Sequence, residues 1–136
     1  GYKDSKSIQV LRKGVAEGRL VGGNLSVLMT TLGTPYQPPF RGRILFFEDI
    51  SEVPYRLDRM LTHLLNAGLL QQVAGVAVGI NRDCEEAGGT KPREYRQSSA
   101  DVIRERLTPL RVPVVAGLLF VALPSVDFIE AMIRLM

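Results

Sequence analysis

The chain has 136 residues, 46% of them apolar and 23% charged, which suits one ordinary globular domain rather than a disordered segment. Its net charge of +3 comes from scattered lysines and arginines, with no basic, aromatic-bearing face, so nucleic acid is not an expected partner. The single cysteine, Cys84, excludes an internal disulfide and any CxxC motif, and no apolar run approaches the roughly 18 to 20 residues that span a bilayer, so no membrane partner is expected.

Residues 1–7 are polar, and "GYKDSK" does not read as a signal peptide. "IQVLRKG", residues 8–14, predicts a short strand ended by Gly14. "AEGRLVGGN" reads as a turn-rich stretch around Leu20 and Val21. Asn24 is the expected N-cap of "LSVLMTTLG", whose Leu25, Leu28, Met29 and Leu32 share one helical face. Gly33 and Pro35 stop that helix. Three prolines in residues 34–43 make a loop, and Ile44 to Phe47 form a buried strand. Pro54 suits the first turn of the next helix, where Leu57, Met60, Leu61, Leu64 and Leu65 give the strongest amphipathic pattern in the chain. Gly68 ends it, and "VAGVAVGI", residues 73–80, is apolar throughout, as in a strand covered on both faces. A long polar loop holding a Gly-Gly pair leads to a helix, "ADVIRERLTPL", and then to an apolar strand, "VPVVAGLLFVAL". Ser125 can cap a last helix, "VDFIEAMIRLM", with Ile129, Met132, Ile133 and Met136 on one face. Strands alternating with helices at this spacing predict an α/β domain with a largely parallel sheet.

Few residues carry chemistry. "GRLVGGN" lacks both the GK[ST] of a phosphate loop and the GxGxxG of a dinucleotide site, so no cofactor is expected. His63, the one histidine, sits inside a helix with no second ligand near it in sequence, and a zinc site is unsupported. Cys84 lies in a polar loop without a neighbouring base and reads as incidental. Glu48 differs from these. It stands with Asp49 where the Ile44–Phe47 strand ends, and in α/β folds functional groups gather beyond the carboxyl ends of parallel strands. A carboxylate there can orient a histidine base and stabilise the imidazolium that forms. The pair can equally do no more than end a strand and favour the start of the following helix through its dipole.

The stretch from "GRLVGGNLS" through "GTPY", "RGRILFFED" and "PYRLDRML" resembles the C-terminal domain of the LD-carboxypeptidases, serine peptidases that include muramoyltetrapeptide carboxypeptidases and microcin C self-immunity proteins. "VAGVAVG" and "LRVPVVAGL" continue the likeness, which is strongest over residues 14–120 of a domain taken as residues 1–136; the tail, 121–136, diverges. The resemblance implies a single layered β/β/α domain of the swivelling type, with a parallel-rich central sheet flanked by helices and with Leu20, Val21 and the N-terminal strands forming a second small sheet. It implies a cytoplasmic hydrolase with a Ser-His-Glu triad that removes the terminal D-alanine of murein tetrapeptides in peptidoglycan recycling. Glu48 of "FFED" matches the triad acid. The family's serine lies in a separate N-terminal domain, to which nothing here corresponds, so that domain is an expected partner. The histidine belongs in a "GLPFGHG"-like stretch. Here "GLLFVALPSVDF", aligned on Gly117 and Phe120, puts Val121-Ala122 in place of Gly-His. His63 is not at a triad position of the family. Arg56, Asp58 and Arg59 are expected to organise the helix start and an interface rather than catalysis, and their spacing also suits i,i+3 surface pairing. The isolated chain is therefore expected to be inactive and, with uncovered apolar faces, to self-associate into a homo-oligomer. The rival readings are a non-catalytic binding or partner domain on the same scaffold, and a truncated or frameshifted product with an altered tail.

Overall fold

Two apolar runs, Ile44–Phe47 and residues 75–79, contain no polar residue, and both become the middle of the sheet. The computed structural model describes residues 8–48, 53–79 and 97–118, and the backbone of 130–135. Its elements are β1 (Gln9–Arg12), β2 (Gly14–Asn24), α1 (Leu25–Thr31), β3 (Ile44–Glu48), α2 (Pro54–Asn66), a 3-10 turn at Leu70–Gln72, β4 (Gly75–Gly79), α3 (Ser99–Leu107), β5 (Val114–Leu118) and β6 (Glu130–Leu135). One six-stranded sheet runs in the order β1-β5-β4-β3-β2-β6. The inner pairs β2·β3, β3·β4 and β4·β5 are parallel, while β1 and β6 pair antiparallel at the two edges. The fold is thus α/β with a parallel-rich sheet flanked by helices.

Side-chain alternation along the strands builds two cores. Leu45 and Phe47 face one way and pack with Val76, Val78 and Val114 against Leu25 and Leu28 of α1, Leu57, Leu61 and Leu64 of α2, and Val102, Ile103 and Leu107 of α3. Ile44 and Phe46 face the other way, with Ala16, Ala77 and Val115. Each fully buried Leu in the helical layer contributes about 1.5 to 3 kcal/mol of burial. The helices are placed by their ends. Asn24 Oδ1 caps α1 by accepting from the Val27 amide at 3.1 Å. Pro54 opens α2. Ser98 and Asp101 form a reciprocal capping box on α3. Gly33 and Gly68 adopt φ of +73° just past α1 and α2.

Two expectations are corrected. The stretch Ala16–Asn24 is not a turn region but most of an 11-residue strand. Its glycines serve close approach. A Cβ on Gly22, at φ +135°, would lie 1.8 Å from the Phe46 carbonyl oxygen, and one on Gly18 would lie 2.4 Å from that of Gly42. Leu20 and Val21 consequently pair with Ile44 and Leu45 in the central sheet rather than in a separate small one. The first half of β2 steps across the amino ends of the other strands. Gly14 sits against Pro113 before β5, Ala16 against Gly75 of β4, and Gly18 against Gly42 before β3. The second correction concerns the tail. Residues 130–135, expected in a helix, form β6, registered from Gly14↔Leu135 to Arg19↔Glu130. Their spacing satisfied a helical face, but the open edge of β2 supplies ladder partners that a local pattern does not reveal.

Candidate functional site

Parallel strands β2, β3, β4 and β5 share one carboxyl edge, and Glu48 is the last residue of β3 there. Its side chain is half-buried, whereas the four residues before it are fully buried. The strand therefore fixes the backbone of Glu48 while its carboxylate reaches the rim. Asn24, the last residue of β2, is its register partner across the ladder. Asn24 Oδ1 also accepts from Ser26 Oγ at 2.7 Å, so this oxygen is committed to starting α1. An Asn24→Ala variant is expected to lose about 1 kcal/mol of stability in chemical denaturation, and Asn24→Gly much less. Equal losses would show that the cap is not what holds this junction.

The other sequence-marked groups fall elsewhere. His63 is exposed in the last turn of α2, nine residues after Pro54. Because α2 runs back from the carboxyl edge, His63 lies about 13 Å down the helix axis from its start, toward the opposite edge of the sheet. It does not meet Glu48. Its backbone carbonyl accepts from the Ala67 amide at 2.9 Å. Asp49, Cys84 and Val121-Ala122 lie outside the described residues.

Asp58 does not pair locally. Its carboxylate takes the Arg106 guanidinium of α3 in a two-pronged contact, with Nη2 to Oδ2 at 3.3 Å. That hydrogen bond, and the charge behind it, raise Arg106 above the ordinary arginine value. The pair stitches α2 to α3 and serves packing, a contact 48 residues apart in sequence that spacing rules could not show. Arg56 and Arg59 instead lie over Tyr55, at 5.9 and 5.6 Å from its ring centre. Neither of two shallow depressions on the described surface is lined by Glu48. One, of about 270 Å³, lies among Arg19, Gly22, Pro38, Pro39 and Arg43; the other, of about 370 Å³, among Tyr55, Arg56, Arg59 and Met60. Among the described residues no cluster of three or more His, Cys, Asp or Glu is placed to hold a metal ion, and no helix is long and apolar enough to cross a membrane.

The profile of the LD-carboxypeptidase C-terminal domain matches residues 17–121. The chain belongs to that family. It is 46% identical over 109 residues to a putative carboxypeptidase of Synechocystis, covering 80% of this chain and 35% of that protein. It is 47% identical over 90 residues to a probable murein peptide carboxypeptidase of Bacillus subtilis, covering 66% of this chain and 28% of that protein. Among solved structures it is similar to the muramoyltetrapeptide carboxypeptidase from Oxalobacter formigenes, with a TM-score of 0.70 and 31% identity over 93% of this chain and 43% of that one. The LD-carboxypeptidase domain seen here thus spans about a third of the length of these curated relatives.

Proposed function

We propose that this chain is the acid-bearing C-terminal domain of an LD-carboxypeptidase-like serine peptidase, which cleaves the terminal D-alanine from murein tetrapeptides in cytoplasmic peptidoglycan recycling. The observation that carries the reading is Glu48: a carboxylate at the carboxyl end of a central parallel strand, matched to the triad acid by the "FFED" motif. The relatives' names supply the substrate class. In the whole peptidase the serine comes from the N-terminal domain, the expected partner, and a histidine takes the proton of the attacking serine hydroxyl and returns it to the leaving amine while Glu48 holds the imidazole in the correct tautomer.

By itself the chain is inactive in this reading. A triad acts as a unit, and losing the nucleophile or base removes several orders of magnitude of rate. Val121-Ala122 at the matched histidine position, and the single histidine His63 in the last turn of α2, leave Glu48 no triad histidine to orient. Purified chain incubated with a murein tetrapeptide is expected to release no D-alanine above the buffer control; release that disappears in Glu48→Gln would overturn that statement. The same Val121-Ala122 pair favours a second reading, a non-catalytic binding domain on this scaffold. Tetrapeptide binding by the isolated chain, unaffected by adding a serine-bearing N-terminal domain, would select it.

A further inference from the structure

β2 changes partner at Arg19. β6 pairs with it as far as that residue, and β3 pairs with it from Leu20 onward. Here the depression of about 270 Å³ opens, lined by Arg19, by β2 as far as Gly22, by Pro38 and Pro39 of the loop before β3, and by Arg43. Taking the register Leu20↔Ile44 one residue back sets Arg19 beside Arg43. Alternation from Val21 and Leu45 puts both on the helical side of the sheet. Neighbouring strands lie about 4.8 Å apart, so two cations stand side by side, an arrangement that repels. Arg43 is half-buried and Arg19 exposed. Among the described residues neither guanidinium has a hydrogen-bond or ion-pair partner, and no acidic residue lines the depression. On its other edge Arg19 is registered with Glu130 of β6, so the row counts one acid against two cations.

We propose that this depression binds a phosphate group, held between Arg19 and Arg43, with the organic part of a phosphate ester lying along Pro38 and Pro39. A guanidinium fork matches two oxygens of a carboxylate or a phosphate. A carboxylate has two oxygens and one charge, and it satisfies one fork. A phosphate monoester carries close to two charges at neutral pH and has three free oxygens, enough to serve both forks. The bound anion also replaces a repulsion across the β2·β3 pair with two attractions, at the point where β2 leaves one neighbour for the other. The prolines have no amide hydrogen, so they give an apolar wall rather than further donors. Arg43 stands just before β3 and Glu48 ends it, so the two are roughly 16 Å apart at about 3.3 Å per residue. The phosphate therefore lies away from the strand end that carries the triad acid, and its binding does not depend on a complete triad.

Calorimetric titration and thermal unfolding of the whole chain test this, with inorganic phosphate, glycerol phosphate and acetate compared at an ionic strength held constant with sodium chloride. Inorganic phosphate is expected to bind once per chain and to raise the melting temperature in step with its affinity. Acetate is expected to bind about tenfold more weakly or less, and glycerol phosphate more tightly than inorganic phosphate. Arg19→Gln and Arg43→Gln are each expected to weaken phosphate binding by about tenfold or more, since each removes one charge-assisted contact. Without phosphate, both variants are expected to melt at or above the wild-type temperature, because each removes a repulsion; this separates a lost ligand from a lost fold. A wild type that gives no phosphate response, an equal response to acetate, or affinity unchanged in both variants overturns the proposal. Variants less stable than the wild type in the absence of phosphate would show that the arginines serve the fold, and would overturn it too. Glycerol phosphate binding no better than inorganic phosphate would remove the prolines from the site.

Discussion

A histidine introduced at position 122 is expected to create hydrolytic activity that the natural residue denies. The experiment replaces the C-terminal domain of the Bacillus subtilis relative with this chain, bringing the chain together with an N-terminal domain of the family. With Val121-Ala122 in place, the chimera should release no D-alanine from murein tetrapeptide. With Val121→Gly and Ala122→His it should. The reasoning is topological. β5 ends at Leu118, and β5 lies two strands from β3 in the sheet, about 10 Å away at the usual strand spacing. The chimera tests whether a histidine at position 122 serves the Glu48 carboxylate. Adding Glu48→Gln to the active chimera is then expected to lower kcat by about 10⁴ with little change in KM, because an amide no longer holds the tautomer or stabilises the imidazolium. Activity that survives Glu48→Gln would remove Glu48 from the triad. A chimera active without the histidine would remove Ala122 from the explanation.

The largest stability effect is expected at Gly22. Gly22→Ala sets a methyl group 1.8 Å from the Phe46 carbonyl oxygen, in a backbone conformation at φ +135° that other residues rarely adopt. Backbone cannot yield as a flexible side chain can, so β2 must part from β3. The expected loss is about 4 kcal/mol in urea unfolding, at the severe end for single substitutions. Gly23→Ala is the control. Gly23 shares the positive φ, at +134°, but a Cβ there meets nothing within 4 Å, so about 1 to 3 kcal/mol of backbone strain is expected. If both variants lose the same amount, strain and not close strand approach is the reason for glycine at position 22. The consequence reaches the candidate site, since the β2·β3 register places Asn24 opposite Glu48.

Elements whose patterns are complete within a short window were legible in the sequence. The Ile44–Phe47 run, the Pro54 helix, the residue 75–79 strand and the Asn24 cap all follow from local spacing, and so does Glu48 at a strand end. Where the sequence misled, the cause was a partner distant in sequence. The glycines of β2 read as turn residues until Phe46 is seen beside Gly22. Ile129, Met132, Ile133 and Met136 satisfy a helical spacing, yet residues 130–135 form a strand because β2 offers an edge. The Asp58–Arg106 pair joins two helices that no spacing rule connects.

Local pattern was enough to read the helical and strand segments of the centre, the family, and Glu48 at the end of a strand. The folded chain was needed to see that β2 is a strand crossing the amino ends of three others, that the tail pairs with it, and that His63 lies in the last turn of α2, well down the helix from the strand end that carries Glu48. The difference is one of range. Burial periodicity and capping act between neighbours, whereas strand pairing and cross-helix salt bridges need partners that only the folded chain brings together.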